Sequence, residues 1–352
     1  MTAATIRNIA LSADGSAVRI IDQTLLPGEL RFLELREREE LYEAIRSLRV
    51  RGAPAIGIFA AYALYVLARS YGEDDFLSRL DADCDYLISC RPTAVNLARQ
   101  AERMRALAHA LSDRPRGEIL AALEAEARKI HREDIDMCRA ISRYGLSLLH
   151  DGDTVLTHCN AGPLATSEYG TGLGPLILGA ERGMKLAAFV DETRPLLQGA
   201  RLTAWELQNA GVDVTLICDN MAALAMKQGR IRAVLAGCDR MAANGDAANK
   251  IGTSGAAVIA KHYGVPVYIL LPSSTIDMDC PTGADIPIEL RDGEEIRSLW
   301  YSRPMAPEGV RCWNPAFDVT DHELITAVVT EKGVIYPPYD IHLRELFGGE
   351  KL

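Results

Sequence analysis

One polar stretch of the sequence carries two side chains that could take part in chemistry. Residues 237–253 read Gly-Cys-Asp-Arg-Met-Ala-Ala-Asn-Gly-Asp-Ala-Ala-Asn-Lys-Ile-Gly-Thr, between an apolar run and a segment with helical spacing. Asp239 near its start is a candidate acid or base, and Lys250 near its end is a candidate anion ligand. A carboxylic acid donates a proton at neutral pH only if burial raises its pKa, so this role requires a buried Asp239. The alternative role, a helix N-cap aspartate, stays open.

A second candidate is Cys159, which opens the small-residue turn Cys-Asn-Ala-Gly after another apolar run. Such a turn can present backbone N–H groups to a ligand, and a helix N-terminus at this point would lower the thiol pKa. A free cysteine is usually only a small buried hydrophobe, and we keep that interpretation for the other seven cysteines. His158 precedes Cys159 and by strand alternation should point to the opposite face, which argues against a Cys–His dyad.

Three cations stand next to turns or helix starts, namely Arg51, Arg91 and Lys250. Free N–H groups at such positions add to the positive charge, so together they favour a phosphate ligand. Each arginine alone is more often part of a surface ion pair. Gln198 is a candidate for binding sugar hydroxyls. The sequence contains neither a Walker A motif nor a GxGxxG motif after a strand, so we expect no nucleotide cofactor.

The composition excludes several classes of protein. The net charge of −10, with no block rich in Lys or Arg, argues against nucleic-acid binding. The eight cysteines form no CxxC pair and no zinc-type spacing, so we expect no metal and no disulfides. Without a signal-peptide pattern, we expect a cytoplasmic protein. The uncharged residues 52–68 are at the short limit for a membrane span and open with Gly-Ala-Pro. We therefore predict that they form a buried helix and that the protein does not associate with a membrane.

The elements that must position these side chains follow from the hydrophobic pattern. Residues 1–35 contain short β-prone runs, and the rest of the first 130 or so residues has helical spacing, with Pro92 in the first turn of one helix. This part of the chain therefore predicts a small sheet followed by helices. From residue 153 on, helix-like segments separate short apolar runs at 154–157, 186–190, 214–218, 233–236, 267–271 and 334–336. This alternation predicts an α/β fold with a mostly parallel sheet. Polar loops follow five of these runs, and ligands bind at that edge of such sheets.

We therefore predict two domains, a smaller one over 1–130 with a small β-sheet plus helices, and a larger one over 131–352 carrying the catalytic loops. Residues 272–320 contain six prolines and little periodicity. A loop of that length in a compact domain is usually functional or disordered, and we expect a lid or a dimer contact.

The sequence resembles the methylthioribose-1-phosphate isomerases, the aldose–ketose isomerases of methionine salvage. The resemblance runs nearly end to end and rests on long, irregular stretches at residues 22–27, 51–57, 91–97, 157–162, 191–207, 237–253 and 314–318. It implies a Rossmann-like C-terminal domain flanked by helices, a smaller N-terminal domain, and a homodimer. Two departures are Cys238, where the family usually has alanine, and Ser254-Gly255, where a tyrosine is common. Both affect pocket size and hence the preferred 5-substituent.

The resemblance also implies the site residues. Cys159 and Asp239 are the implied catalytic pair, and the implied substrate-binding residues are Arg51, Gly52, Ala53, Arg91, Gln198, Asn249 and Lys250. The substrate is a sugar phosphate, and no cofactor is implied. In an aldose 1-phosphate the anomeric carbon is locked, so an acid must protonate the ring oxygen before hydrogen moves from carbon 2 to carbon 1. Whether that hydrogen moves as a proton or as a hydride stays open.

Two alternatives remain open. Isomerases of other pentose 1-phosphates, such as 5-deoxyribose 1-phosphate or ribose 1,5-bisphosphate, would use the same fold. A bisphosphate would need a second cationic cluster, and none is obvious in the five loops, whereas a thioether needs an apolar lining. The regulatory subunits of the translation-initiation guanine-nucleotide-exchange factor also share the fold. They typically lack the Cys and Asp pair, so Cys159 and Asp239 favour an enzyme.

Overall fold

The computed structural model describes residues 7–91 and 94–347, and Pro92 therefore lies outside the described residues. The chain forms two compact units. Unit 1 takes the described part of Ala3–Cys138 together with Gly162–Gly170, and unit 2 takes Arg139–Ala161 and the described part of Thr171–Leu352. The predicted division into 1–130 and 131–352 stays a prediction.

Unit 1 begins with a small antiparallel sheet in the order β1-β2-β3. Its strands are β1 (Ile9–Leu11), β2 (Val18–Ile21) and β3 (Phe32–Leu35). Helices then follow, namely α1 (Arg38–Arg46), α2 (Ala53–Ala68), α3 (Phe76–Ser89), α4 (Val95–Ala110) and α5 (Arg116–Leu146), the last of which continues into unit 2. This is the small sheet followed by helices that the sequence predicts.

Helix α2 is the centre of the core of unit 1. Fourteen consecutive residues, from Ala55 to its end, are buried, because the helix is apolar on all sides. This confirms the predicted buried helix at residues 52–68. Among the described residues, no helix is both long and apolar enough to span a bilayer.

The main sheet of unit 2 has seven strands in the order β14-β13-β10-β7-β4-β5-β6. All neighbours are parallel except β13 and β14, which are antiparallel. The strands are β4 (Thr154–His158), β5 (Ala187–Asp191), β6 (Asp213–Ile217), β7 (Ala233–Ala236), β10 (Val267–Leu270), β13 (Ala327–Thr330) and β14 (Gly333–Ile335). The predicted fold class is confirmed.

The strand order reverses between β4 and β7. From β4 the chain continues outward through β5 and β6, and then returns to β7 on the other side of β4 before continuing through β10 and β13. In open parallel sheets, ligands bind at such a switch point, outside the carboxyl ends of the strands. The fold therefore predicts the site before any side chain is considered.

A second, four-stranded sheet has the order β11-β8-β9-β12. Its strands are β8 (Arg240–Ala242), β9 (Ala247–Lys250), β11 (Ile276–Asp277) and β12 (Phe317–Thr320). Residues 237–253, expected as one polar loop, thus form the β8–β9 hairpin. Residues 272–320 contribute β11, β12 and the short helix α10 (Glu294–Arg297). The remaining helices of unit 2 are α6 (Gly174–Glu181), α7 (Ala204–Asn209), α8 (Ala222–Lys227), α9 (Thr253–Tyr263) and α11 (Tyr339–Leu346).

Candidate active site

Cys159 follows the last residue of β4 directly, at the switch point. It is half-buried and has a φ of 66°, the left-handed region that non-glycine residues rarely adopt. The next helix, α6, begins only at Gly174. The helix N-terminus that we considered for lowering the thiol pKa is therefore not adjacent to Cys159, because a long turn region intervenes.

Two buried threonine hydroxyls bond the backbone of Cys159. Its N–H donates to Thr193 Oγ1 at 2.9 Å. Its C=O accepts a hydrogen bond from Thr203 Oγ1 at 2.6 Å. Neither threonine was among the predicted site residues, although both lie in the stretch 191–207 that carries the resemblance.

His158, one residue earlier, is fully buried and does not serve the thiol. Its Nδ1 lies 2.9 Å from Asp191 Oδ2, and its Nε2 lies 2.8 Å from the carbonyl oxygen of Ile251. The carbonyl can only accept, so Nε2 carries a proton, and a further proton lies between Nδ1 and the carboxyl. Burial alone would lower the pKa of His158, but the hydrogen bonds to Asp191 and Ile251 and the charges of Asp191 and Asp219 together outweigh it, and the pKa is raised. These contacts give no support to a Cys–His dyad, which the strand alternation in the sequence also argued against.

His158 also belongs to a group of three side chains that lie close enough together to hold a metal ion. Ligand atoms of His158, Asp191 and Asp219 all lie within 4.8 Å of one another. However, both ring nitrogens of the histidine already contact oxygen acceptors. The carboxylate of Asp219 accepts the backbone N–H groups of Thr193 and Arg194, each at 2.7 Å. These contacts favour a proton over a metal at this position, and the expectation of no metal stays a prediction.

Asp239 lies on the turn between β7 and β8. Its N–H donates to the Ala248 carbonyl at 2.9 Å, which ties the turn to β9. Its side chain is exposed, unlike the buried carboxyl that proton donation was expected to require. The apolar neighbours Val234, Leu235 and Met241 are buried in the core and do not cover it. Because β8 follows directly, Asp239 is not a helix N-cap either.

Glycines bring the turns after β4 and β7 into contact. A Cβ on Gly237 would lie 2.7 Å from Ala161 Cβ, and one on Gly172 would lie 3.2 Å from both the Gly237 nitrogen and Ala161 Cβ. Larger residues would therefore push the two turns apart. The turns carrying Cys159 and Asp239 thus pack side by side, as two neighbouring parallel strands with His158 opposite Ala236 require.

Asn249 and Lys250 lie at the end of β9, and both are buried. Lys250 Nζ donates to the Ala316 carbonyl at 2.9 Å and lies 4.6 Å from the centre of the Phe317 ring. Asn249 Nδ2 donates to Thr253 Oγ1 at 3.0 Å, at the start of α9. A buried ammonium held by a carbonyl and an aromatic face is a fixed positive charge suited to an anionic ligand.

Gln198 lies just before a π-helical segment, Gly199–Thr203, that leads into α7. Its side chain is 5% exposed, and its Oε1 is buried without a hydrogen-bond partner among the described residues. A buried amide oxygen without a hydrogen bond lowers the stability of the fold unless a hydrogen-bond donor reaches it. The arrangement fits the predicted role of binding a hydroxyl group.

The remaining predicted ligands belong to unit 1. Gly52 is the N-cap of α2 with a φ of 95°, and a Cβ there would lie 2.4 Å from the Ala165 carbonyl oxygen. Both the conformation and the close approach require glycine. Arg51 and Ala53 flank it and are half-buried, as is Arg91, two residues after the end of α3. Their role in substrate binding stays a prediction.

Comparisons with known proteins extend these observations. The chain matches the initiation factor 2 subunit family over residues 49–337. It is similar to a methylthioribose-1-phosphate isomerase of Symbiobacterium thermophilum, at 58% identity over 97% of this chain and 96% of that protein. It is also similar to a 5-deoxyribose 1-phosphate isomerase of Petrotoga mobilis, at 56% identity over 93% and 95%. The solved structure of 5-methylthioribose 1-phosphate isomerase from Pyrococcus horikoshii OT3 superposes with a TM-score of 0.93 at 40% identity, over 98% of this chain and 96% of that one.

Proposed function

Because the chain belongs to the initiation factor 2 subunit family and is an aldose–ketose isomerase like the relatives that it matches over most of its length, we propose that it converts 5-methylthioribose 1-phosphate to 5-methylthioribulose 1-phosphate in methionine salvage. The observation that carries the proposal is the placement of Cys159 and Asp239 on the two turns that flank the switch point. A binding module of the same fold would need neither a thiol nor a carboxyl there.

The chemistry assigns a role to each of these residues. Asp239 donates the proton that opens the sugar ring, and Cys159 assists the transfer of hydrogen from carbon 2 to carbon 1. Negative charge develops on oxygen in that step, and each well-placed donor in a dry site contributes about 3–4 kcal/mol. Since the carboxyl of Asp239 is exposed, the bound sugar itself must cover it and exclude water.

Substrate binding is assigned to the residues with fixed polar groups. Lys250 and Asn249 supply positive charge and an amide at the end of β9, which suits the phosphate. The buried Oε1 of Gln198 accepts a hydrogen bond from a sugar hydroxyl. Arg51, Gly52, Ala53 and Arg91 remain predicted substrate ligands, because the family resemblance implies them.

A second candidate substrate is 5-deoxyribose 1-phosphate, because a relative of this chain at 56% identity carries that name. The two sugars differ only in the methylthio group at carbon 5. An extra apolar group of one methylene is worth about 1–3 kcal/mol in a complementary pocket. The ratio of the two specificity constants therefore decides between them. The cytoplasmic location and the homodimer remain predictions from the sequence.

The test is an assay of the purified protein with three sugars, 5-methylthioribose 1-phosphate, 5-deoxyribose 1-phosphate and ribose 1,5-bisphosphate, with ketose formation followed by NMR. We expect kcat/KM for the methylthio sugar to exceed that for the deoxy sugar by about tenfold or more. A ratio near one or below would favour the second candidate. Fastest turnover of the bisphosphate, or no turnover of any of them, would contradict the proposal. Cys159→Ser serves as the inactive control for contaminating isomerases.

A further inference from the structure

We infer that Thr193 and Thr203 are positioning residues that clamp the backbone of Cys159 and thereby set the position of its thiol. The inference rests on the proposed function, in which Cys159 assists hydrogen transfer. It is independent of the residues that the family resemblance implies, since neither threonine is among them. Its basis is a closed set of hydrogen bonds around one strained residue.

Every hydroxyl proton in the clamp has one assigned acceptor. Thr193 Oγ1 donates its single proton to the Asp191 carbonyl at 3.1 Å, which leaves a lone pair for the N–H of Cys159. Thr203 Oγ1 donates its single proton to the Cys159 carbonyl and accepts from Asn160 Nδ2 at 3.0 Å. Because each proton has one destination, both hydroxyls are fixed in orientation. Valine, which has the same shape, could make none of these bonds.

The clamp is needed because Cys159 is in an unfavourable conformation. At a φ of 66° its Cβ is crowded by the backbone, and a non-glycine residue holds this conformation only when its surroundings impose it. Both threonines are completely buried, so water cannot replace their hydroxyls. Without the clamp we expect the peptide to relax to negative φ, which turns the Cα–Cβ bond and moves the thiol.

An irregular helical segment positions Thr203 next to the backbone of Cys159. Thr203 ends the π-helical segment Gly199–Thr203, and such segments are rare and concentrated at functional sites. A Cβ on Gly199 would lie 1.7 Å from the Asp191 carbonyl oxygen, the acceptor of the Thr193 hydroxyl. The absence of that Cβ lets the helical segment approach the end of β5 closely enough for Thr203 to reach Cys159. Thr193 itself has a positive φ of 64° and is held by Asp219.

The experiment compares Thr203→Val and Thr193→Val with the matched control Thr320→Val. Thr320 is also completely buried in unit 2, but its hydroxyl has no hydrogen-bond partner among the described residues, so valine should be tolerated there. We expect each of the two clamp variants to lower kcat by about tenfold to a hundredfold with little change in KM, since small displacements of a reacting group have effects of this size. Thr203→Ser, which keeps the hydroxyl, should restore most of the activity.

A crystal structure of Thr203→Val gives a readout that does not depend on catalysis. We expect Cys159 at negative φ in this variant and at positive φ in Thr320→Val. A positive φ together with a kcat near that of the wild type would overturn the inference. If Cys159→Ser keeps its turnover, the proposed role of Cys159 in hydrogen transfer fails, but the φ of Cys159 still tests the clamp. Should Thr203→Val not fold, the difference between Thr203→Ser and Thr203→Ala isolates the hydroxyl in the same two measurements.

Discussion

The turn after β4 and the turn after β7 present their reactive groups in opposite ways. Cys159 is half-buried and has a strained backbone conformation, and buried side chains hydrogen-bond both its N–H and its C=O. Asp239 is exposed, and its backbone is tied to Ala248 through the β8–β9 hairpin. Both turns lie at the same edge of one sheet, so the sheet alone does not determine how a group is held.

The protein therefore holds its two reactive groups in different ways. Buried side chains bond the backbone that carries the thiol, whereas the carboxyl lies on an exposed turn whose backbone is tied to β9. Substitutions of buried neighbours should therefore damage the first turn far more than substitutions of partly exposed neighbours damage the second.

The largest effect is expected from Gly199→Ala. The added Cβ would overlap the Asp191 carbonyl oxygen, so the backbone must shift and carry Thr203 away from Cys159. We expect a loss of about 4 kcal/mol in unfolding free energy, measured by urea denaturation, which is near the upper end that overpacking and imposed backbone strain reach. The control is Gly255→Ala in α9, where a Cβ would meet no atom within 4 Å. That change should be neutral or stabilising by about 0.5–1 kcal/mol. Equal changes in unfolding free energy for Gly199→Ala and Gly255→Ala would contradict the comparison between the two turns.

Asp191→Asn should have the next largest effect. It removes the charge that faces His158 in a fully buried pair, and breaking such a pair costs about 3 kcal/mol in stability. Thermal and urea unfolding near neutral pH measure this loss. A stability close to that of the wild type would mean that the buried pair does not hold the end of β5 next to the Cys159 turn.

The same pair predicts a pH dependence. Burial lowers the pKa of His158, but the hydrogen bond to Asp191, the charges of Asp191 and Asp219 and the bond to Ile251 together raise it in the folded state. The native protein therefore keeps a proton that the unfolded chain releases above about pH 6.5. The contribution of the pair is complete below that pH and is lost as the pH rises through the folded pKa. Wild-type stability should therefore decline above about pH 6.5. Asp191→Asn should decline less over the same range, and a parallel decline would contradict the assignment.

The smallest effect is expected from Arg240→Met, next to Asp239. The Arg240 Nε lies 3.1 Å from Asp277 Oδ2, and both side chains are about one-third exposed. Ion pairs with this exposure contribute less than about 1 kcal/mol. Unfolding free energy and kcat should therefore stay near the wild-type values. A loss as large as that of Asp191→Asn would show that the ion pair of Arg240 stabilises the exposed turn as strongly as the buried pair stabilises the end of β5.

Much of the fold follows from local sequence pattern. The predicted runs 154–157, 233–236 and 267–271 coincide closely with β4, β7 and β10, because buried parallel strands are short apolar runs. Strand β13 has no counterpart among the predicted runs. The β8–β9 hairpin was also missed, because alanine and asparagine have low strand propensity and pair there only through tertiary contacts.

The site was predictable in part. Polar loops after strands indicated the edge of the sheet at which Cys159 and Asp239 lie, but the order of the strands, and hence the switch point between β4 and β7, is a property of the folded chain. The clamp on Cys159 joins residues 34 and 44 positions apart, and no local pattern reports such contacts. The exposure of Asp239 was likewise not readable, because apolar neighbours in sequence pointed into the core instead of toward the carboxyl.

The most direct test of the central claim is a double-mutant cycle on kcat/KM with 5-methylthioribose 1-phosphate, using folded Cys159→Ser, Asp239→Asn and the double variant. If the two groups act on one reaction, each single variant should lose about 10²–10⁴-fold. The double variant should then be little slower than the slower single variant, since residues that act as a unit are not additive. Near-wild-type turnover by either single variant would contradict the account.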